Sequence, residues 1–257
     1  MVLAAGYATR LRPLTDQVAK PLLPLAGRPM LDYLYDRIAE VAEVNELHVV
    51  TNSRFASDFR AWAESGERPL PLVVHDDGTT SNDDRLGAVG DMAFAIDRGG
   101  LEGEDLLVLA GDNLIGYRLD ELVSFWREKG SEAAIAVHRV ADAELISQYG
   151  VAELDENDRV VSLEEKPSQP RSDLAVTASY VYSAKLASLI PTYLEEGGSP
   201  DAPGNFVVWL YTREPVYGYR FAGEWMDIGD PQQLLVADNL MRARAGLPAR
   251  GDYSFEK

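Results

Sequence analysis

The chain contains no cysteine. That excludes disulfides and any zinc or iron–sulfur site built on thiolates. Histidine is nearly absent as well. His48, His75 and His138 are the only three, no two of them stand at metal-ligand spacing, and all three fall inside or at the end of expected strands, so they read as structural. No uncharged apolar run reaches the ~18 residues that a membrane-spanning helix needs. The start, Met1-Val2-Leu3-Ala4-Ala5-Gly6, lacks the basic stretch and long apolar core of a secretory signal. A cytoplasmic location without a membrane partner is therefore the expectation. Positive charge is also short: 24 basic residues face 42 acidic ones, for a net charge of −18 over 257 residues. A broad nucleic-acid-binding surface would want the opposite sign. Lysine is the scarcer cation, with five (Lys20, Lys129, Lys166, Lys185, Lys257) against 19 arginines.

What is present is ordinary for a soluble globular chain, with 46% hydrophobic and 26% charged residues. The length suits one large domain, or a domain with a small annex. Charge is uneven: residues 1–30 carry Arg10, Arg12, Lys20 and Arg28 against Asp16 alone, a local +3 that leaves −21 for the rest. Such a segment can hold a compact anion, and a bland solvated surface would give the same count.

Apolar runs at 2–4, 46–51, 70–75, 105–110 and 133–138 alternate with amphipathic stretches at about 30–43, 54–65, 86–98 and 119–129. This alternation predicts βαβ units and a mostly parallel sheet. In such sheets ligands bind at the carboxyl ends of the strands, which directs attention to the loops after residues 4, 51, 75 and 110. The second half reads as a hairpin (149–154 and 160–163), a strand at 174–183 and a helix at about 184–196. A Gly/Pro-rich loop (197–204), a helix near 205–213, a strand at 215–222 and a final helix from about 231 follow. The polar tail 246–257 is expected to be loosely held.

Several short strings can carry chemistry. Leu3-Ala4-Ala5-Gly6-Tyr7-Ala8-Thr9-Arg10-Leu11 runs a strand into a small-residue loop. Small residues let backbone N–H groups approach a polyphosphate, and cations then neutralise it. No Gly-Lys-Ser/Thr occurs, so this is not the usual P-loop; on the loop alone, a strand-exit turn with surface arginines fits as well. Asp112 in Gly111-Asp112-Asn113 stands at a strand end, where a carboxylate can hold Mg²⁺ or cap the loop. An Asp-x-Asp motif is excluded by Leu114. Lys20 and Lys166 both precede proline, and a compact ammonium acts as a point charge on one phosphate. The Glu165-Lys166 pair can equally be an exposed strand-end ion pair. Asp230-Pro231 reads as a helix cap.

Taken in order, Thr9-Arg10-Leu11, Pro13-Leu14-Thr15, Lys20-Pro21-Leu22-Leu23-Pro24 and Gly27-Arg28-Pro29-Met30-Leu31 closely resemble the N-terminal signature of the sugar-1-phosphate nucleotidyltransferases. The resemblance continues to about residue 240 and includes Trp225-Met226-Asp227-Ile228-Gly229. One departure is Ala8, where the family has its second loop glycine. Another is the first strand, where the family usually has a few more apolar residues. With 17 residues after position 240, the C-terminal β-helix of some relatives is expected to be absent.

The resemblance implies an α/β, Rossmann-like three-layer fold with a mixed, mostly parallel sheet. It implies one domain over 1–245, with a nucleotide-binding half at about 1–140 and a sugar-phosphate half at about 141–230. The implied reaction is NTP plus sugar 1-phosphate giving an NDP-sugar and pyrophosphate. Leu3, Ala4, Ala5, Gly6, Arg10, Lys20, Asn82 and Gly87 would bind the nucleotide, and Asp112 and Asp227 would hold Mg²⁺. Gly150, Glu165 and Lys166 would take the sugar phosphate, with Arg10, Lys20 and Lys166 catalytic. Relatives of thymidylyl and uridylyl type carry Gln five residues before the glycine. Asn82 keeps that spacing to Gly87, which favours a pyrimidine base, although a ligand-free Asn/Asp-rich loop fits the residues nearly as well. A phosphocholine-type acceptor and a non-catalytic regulatory module are the rival readings. Oligomerisation is left open.

Overall fold

The computed structural model describes residues 1–130 and 132–255. The chain forms two compact units, each assembled from separate stretches. The first comprises Met1–Leu3, Leu86–Ala110 and Tyr117–Gly223; the second comprises Ala4–Arg85, Gly111–Gly116 and the chain from Glu224 onward. The stretches of the two units alternate along the sequence. The fold class is the expected α/β one, built on a mixed sheet with helices.

In the first unit the long strand Leu174–Tyr182 is central. It pairs antiparallel with Leu106–Ala110, with Ala133–Arg139 and, at Ala175, with Gly150–Leu154. Two parallel pairs join them: Val2–Leu3 beside Leu109–Ala110, and Val216–Arg220 beside Ala133–Val137. Ala133 to Val137 are all buried, which explains why that strand reads as a continuous apolar run rather than an alternating one. The hairpin Gly150–Leu154 with Val160–Glu165 sets Glu165 directly opposite Gly150. Helix Leu119–Glu128 buries Leu119, Leu122, Val123 and Trp126, a single helical stripe. The expected helix over 184–196 is two, Ala184–Ala187 and Ile190–Glu195. Pro191 cannot donate to the preceding turn, so it starts a new helix instead of continuing the old one.

The second unit holds the parallel pair Leu47–Thr51 and Leu72–Asp76 with helix Ala56–Glu64 between them in sequence. It also holds two features too short to show periodicity. Asn113–Ile115 pairs antiparallel with Trp225–Asp227, and Pro24–Leu25 pairs with Arg28–Pro29. One apolar cluster packs Leu11, Leu23, Leu25, Met30, Leu114, Ile228, Leu234 and Met241 together. It therefore brings residues 11–30, the stretch after Asp112 and the last helix, Pro231–Arg244, to one place. Asp230 caps that helix by accepting from the Gln233 N–H at 2.8 Å.

The polar tail makes more contacts than its composition suggests. Arg250 donates to the buried Asp238 carboxylate at 2.7 Å. Asn239 and Arg250 exchange two hydrogen bonds, and the Tyr253 hydroxyl donates to the Pro24 carbonyl at 2.8 Å. The burial of Asp238 explains this, since a carboxylate out of water needs a cation. Glu256 and Lys257 lie outside the described residues. Among the described residues no helix is long and apolar enough to cross a membrane.

His48 and His75, on neighbouring strands, join through Nδ1 and Nε2 at 2.8 Å with their rings stacked. The Glu46 carboxylate lies 3.1 Å from the other His48 nitrogen. Burial holds both imidazoles below their ordinary pKa, so the folded pair is neutral. As pH falls through about 6.5, the unfolded chain takes up protons that the folded pair refuses, and this contribution to stability is lost. The urea midpoint is expected to fall between pH 7.5 and 5.5, and to fall less in the His48→Gln/His75→Gln double variant. Identical slopes would remove the pair from the pH dependence.

Candidate active site

In the second unit the loop after the first strand is braced from several sides. The buried Asn52 amide donates to the Ala5 carbonyl at 2.9 Å, and the Tyr7 and Thr79 hydroxyls bond at 3.0 Å. The buried Thr15 hydroxyl donates to the Ala8 carbonyl at 2.9 Å, which gives the Pro-Leu-Thr string a mechanical purpose. Gly6 is exposed, and a Cβ added there would meet nothing within 4 Å, so the loop's small-residue face is open. Ala8, the departure from the resembling pattern, has φ 44° and ψ 47°. It stands in the left-handed region, where a Cβ is unfavourable.

Arg10 lies in the short turn Thr9–Leu11. A Cβ at Gly229 would come within 3.0 Å of the Arg10 guanidinium and 3.2 Å of Gln233 Oε1. Gly229, two residues after Asp227, thus leaves room for the arginine, and its own N–H donates to Gln233 at 2.6 Å. Lys20 is only 7% exposed, and its ammonium donates to Asp112 Oδ2 at 2.7 Å. Asp112 Oδ1 accepts from the Asn113 amide at 3.2 Å, and Asn113 Oδ1 accepts from the Trp225 indole at 2.7 Å. Asp227 stands in register with Asn113, and the Ile228 N–H approaches the Asp112 carbonyl at 3.4 Å. One short antiparallel pair therefore carries Asp227 and is preceded directly by Asp112. Sequence reasoning missed Asn113, Trp225, Thr15 and Asn52. Thr15 and Trp225 lay inside matched strings and Asn113 next to the candidate Asp112, and that was the available signal.

Asn82 is exposed on a turn organised by Asp84. That carboxylate accepts from the Thr80 and Ser81 N–H groups, which pull its pKa down to about 2.

The first unit holds the remaining candidates. Leu3 ends its strand beside Ala110. Gly87 has φ +80°, and a Cβ there would lie 2.5 Å from the Pro200 carbonyl oxygen. Val89 and Ala88 donate to the Pro200 and Asp201 carbonyls at 2.8 and 3.2 Å, so packing alone requires glycine at 87. Glu165 is half-buried opposite Gly150. Burial pushes its carboxyl pKa up, and the neighbouring Lys166 charge pulls it the other way. Lys166 has φ +48° and donates its N–H to the Tyr149 carbonyl at 3.0 Å. A lysine held in that region is strained, and such strain clusters at ligand-handling positions.

Among the described residues no group of three or more His, Cys, Asp or Glu could hold a metal ion. Asp112 and Asp227 nonetheless fit Mg²⁺ as a donor set. This ion is commonly held by one or two carboxylates, with substrate phosphates and water supplying the rest.

Residues 1–244 match the family model described as nucleotidyl transferase. A UTP–glucose-1-phosphate uridylyltransferase of Synechocystis is 28% identical over 237 residues, covering 89% of this chain and 59% of that protein. A mannose-1-phosphate guanylyltransferase of Mycobacterium tuberculosis is 30% identical over 259 residues, covering 100% of this chain and 68% of that one. A solved Bacillus anthracis structure, described as a glucose-1-phosphate thymidylyltransferase in complex with a sucrose, superposes with a TM-score of 0.81 at 22% identity. It covers 100% of this chain and 96% of its own, and the likeness establishes the fold. The chain spans 59% of the length of the uridylyltransferase it matches.

The left-handed Ala8 yields a test. Ala8→Gly is expected to stabilise the protein by roughly 0.5–1 kcal/mol, because relief of the Cβ clash exceeds the added chain entropy. Chemical denaturation measures it, and a destabilised variant would contradict the assigned backbone.

Proposed function

The chain belongs to the nucleotidyl transferase family, and we propose that it condenses an NTP with a sugar 1-phosphate to give an NDP-sugar and pyrophosphate. The observation that carries the reading is one cluster in the second unit: Arg10 against Gly229, Lys20 bonded to Asp112, and Asp227 in register with Asn113. Two cations and two strand-end carboxylates suit a triphosphate with a divalent ion. The Ala4–Gly6 backbone and Lys20 take the nucleotide phosphates, and Arg10 stabilises charge on the triphosphate as it reacts. Asp112 and Asp227 would hold Mg²⁺, which when bound lowers the repulsion between anionic reactants.

On the acceptor side Lys166 holds the sugar phosphate, while Glu165, facing Gly150, accepts from sugar hydroxyls. The relatives named above act on sugar 1-phosphates, which favours a sugar over a phosphocholine-type acceptor. The nucleotide role thus falls at about 1–140 and the acceptor role at about 141–230, and a cytoplasmic setting goes with soluble substrates.

The acceptor phosphate oxygen attacks the α-phosphorus in line. The new P–O bond forms as the α–β P–O bond breaks, and that electron pair leaves with pyrophosphate. The acceptor is already ionised at neutral pH, so no general base is required. Catalysis is positioning and charge neutralisation. We assign a pyrimidine base, because the exposed Asn82 amide offers one acceptor and two donors to the carbonyl and N–H edge of thymine or uracil. Pyrophosphate release from each NTP with a panel of sugar 1-phosphates tests the whole reading. Release with dTTP or UTP and a sugar 1-phosphate is expected; no release with any pair would overturn it. Higher kcat/KM with GTP or ATP would overturn the base alone.

Two variants test the roles. Asp112→Asn and Asp227→Asn are each expected to lose most turnover while remaining folded by circular dichroism; near-normal rates at saturating Mg²⁺ would remove them as metal ligands. Lys166→Ala should weaken use of the sugar phosphate by roughly tenfold to over a hundredfold, as for one lost charge-assisted contact, with NTP binding spared in calorimetry. Equal losses on both sides would move Lys166 to the nucleotide.

A further inference from the structure

Gly204 is the second residue of helix Pro203–Leu210 and is buried. Glycine is the poorest helix former after proline, and Gly204 is not among the positive-φ glycines, so its backbone does not demand it. Space does. A Cβ at Gly204 would stand 2.4 Å from Glu165 Oε2 and 3.4 Å from Glu165 Cδ, and one at Gly150 would stand 3.0 Å from the same oxygen. The Glu165 carboxylate therefore rests between two bare Cα positions, one on the facing strand and one on the helix. The helix start is itself fixed: Pro203 occupies its first turn, and Pro200 and Asp201 accept from Val89 and Ala88.

We propose that Gly204 is a specificity-determining positioning residue, which keeps the Glu165 carboxylate set back in this niche at the distance a sugar hydroxyl requires. The inference rests on the reading of Glu165 as an acceptor contact. A methyl group at 204 would drive the oxygen outward by about 1 Å to reach normal contact. Displacements of that size at a substrate-positioning group can cost on the order of a hundredfold. The same methyl group improves the helix, so loss of acceptor recognition would come without loss of stability.

The test is Gly204→Ala in the full chain. The acceptor KM is expected to rise tenfold or more, with less discrimination between sugar 1-phosphates that differ in one hydroxyl. NTP affinity by calorimetry and the melting temperature are expected to hold or, for the latter, to rise. Adding Glu165→Asp to Gly204→Ala shortens the side chain by one methylene and should recover part of the acceptor KM. Glu165→Ala serves as the reference. If it raises the acceptor KM while Gly204→Ala leaves both KM and discrimination unchanged, the proposal is overturned and the acceptor reading stands. If Glu165→Ala has no effect on the acceptor KM, both are overturned. A Gly204→Ala protein that loses stability and NTP affinity together with acceptor affinity would also contradict the proposal, since that is general damage.

Discussion

The second unit depends on one ion pair, the nearly buried Lys20 ammonium bonded to Asp112 at 2.7 Å. A buried ammonium without a partner costs several kcal/mol, so the turn Lys20–Leu22 and the segment that begins at Gly111 are obliged to meet. The two members differ in exposure, with 9% of the lysine side chain and 37% of the aspartate side chain accessible. The carboxylate is therefore the side a ligand can reach. In the proposed function a phosphate competes with Asp112 for the ammonium, and the freed carboxylate then becomes available to a divalent ion. The pair satisfies both charges within the folded chain.

Around that pair the chain spends small residues and buried polar groups on placement. The loop after the first strand is held by Asn52, Tyr7 and Thr15, none of which carries a formal charge at neutral pH. Asn52 and Thr15 hold the Ala5 and Ala8 carbonyls, and Tyr7 ties the loop to the Thr79 hydroxyl. Gly229 lets Arg10 lie against the segment that contains Asp227. Lys166 is held in a left-handed conformation at the end of its strand, anchored by its N–H on Tyr149. Such anchoring is what allows a non-glycine residue to keep this backbone.

The main strands and helices were legible because their apolar patterns are long. Leu106–Ala110 and Leu119–Glu128 sit within a residue or two of where periodicity places them. The ordered strings from Thr9 to Leu31 were legible as a family resemblance, and residues 1–244 match that family. Three-residue strands such as Asn113–Ile115 and Trp225–Asp227 hold too few residues for a period-2 signal. Pro191 gave a visible break that the helical pattern on both sides obscured. The tail's attachment depends on Arg250 meeting Asp238 and Tyr253 meeting Pro24; the second pair is 229 residues apart, and no local pattern encodes such a meeting. Gly204 is illegible for the same reason, since its neighbour Glu165 is distant in sequence and close only in the fold.

The central claim is that this chain supplies position and charge to a single displacement at the α-phosphorus and no nucleophile of its own. The most direct test is the stereochemistry of the reaction with an NTP carrying one sulfur on the α-phosphorus in a defined configuration. Single in-line attack by the sugar phosphate predicts inversion at phosphorus in the NDP-sugar product. Retention would mean two displacements through a nucleotidylated side chain, and would contradict the account.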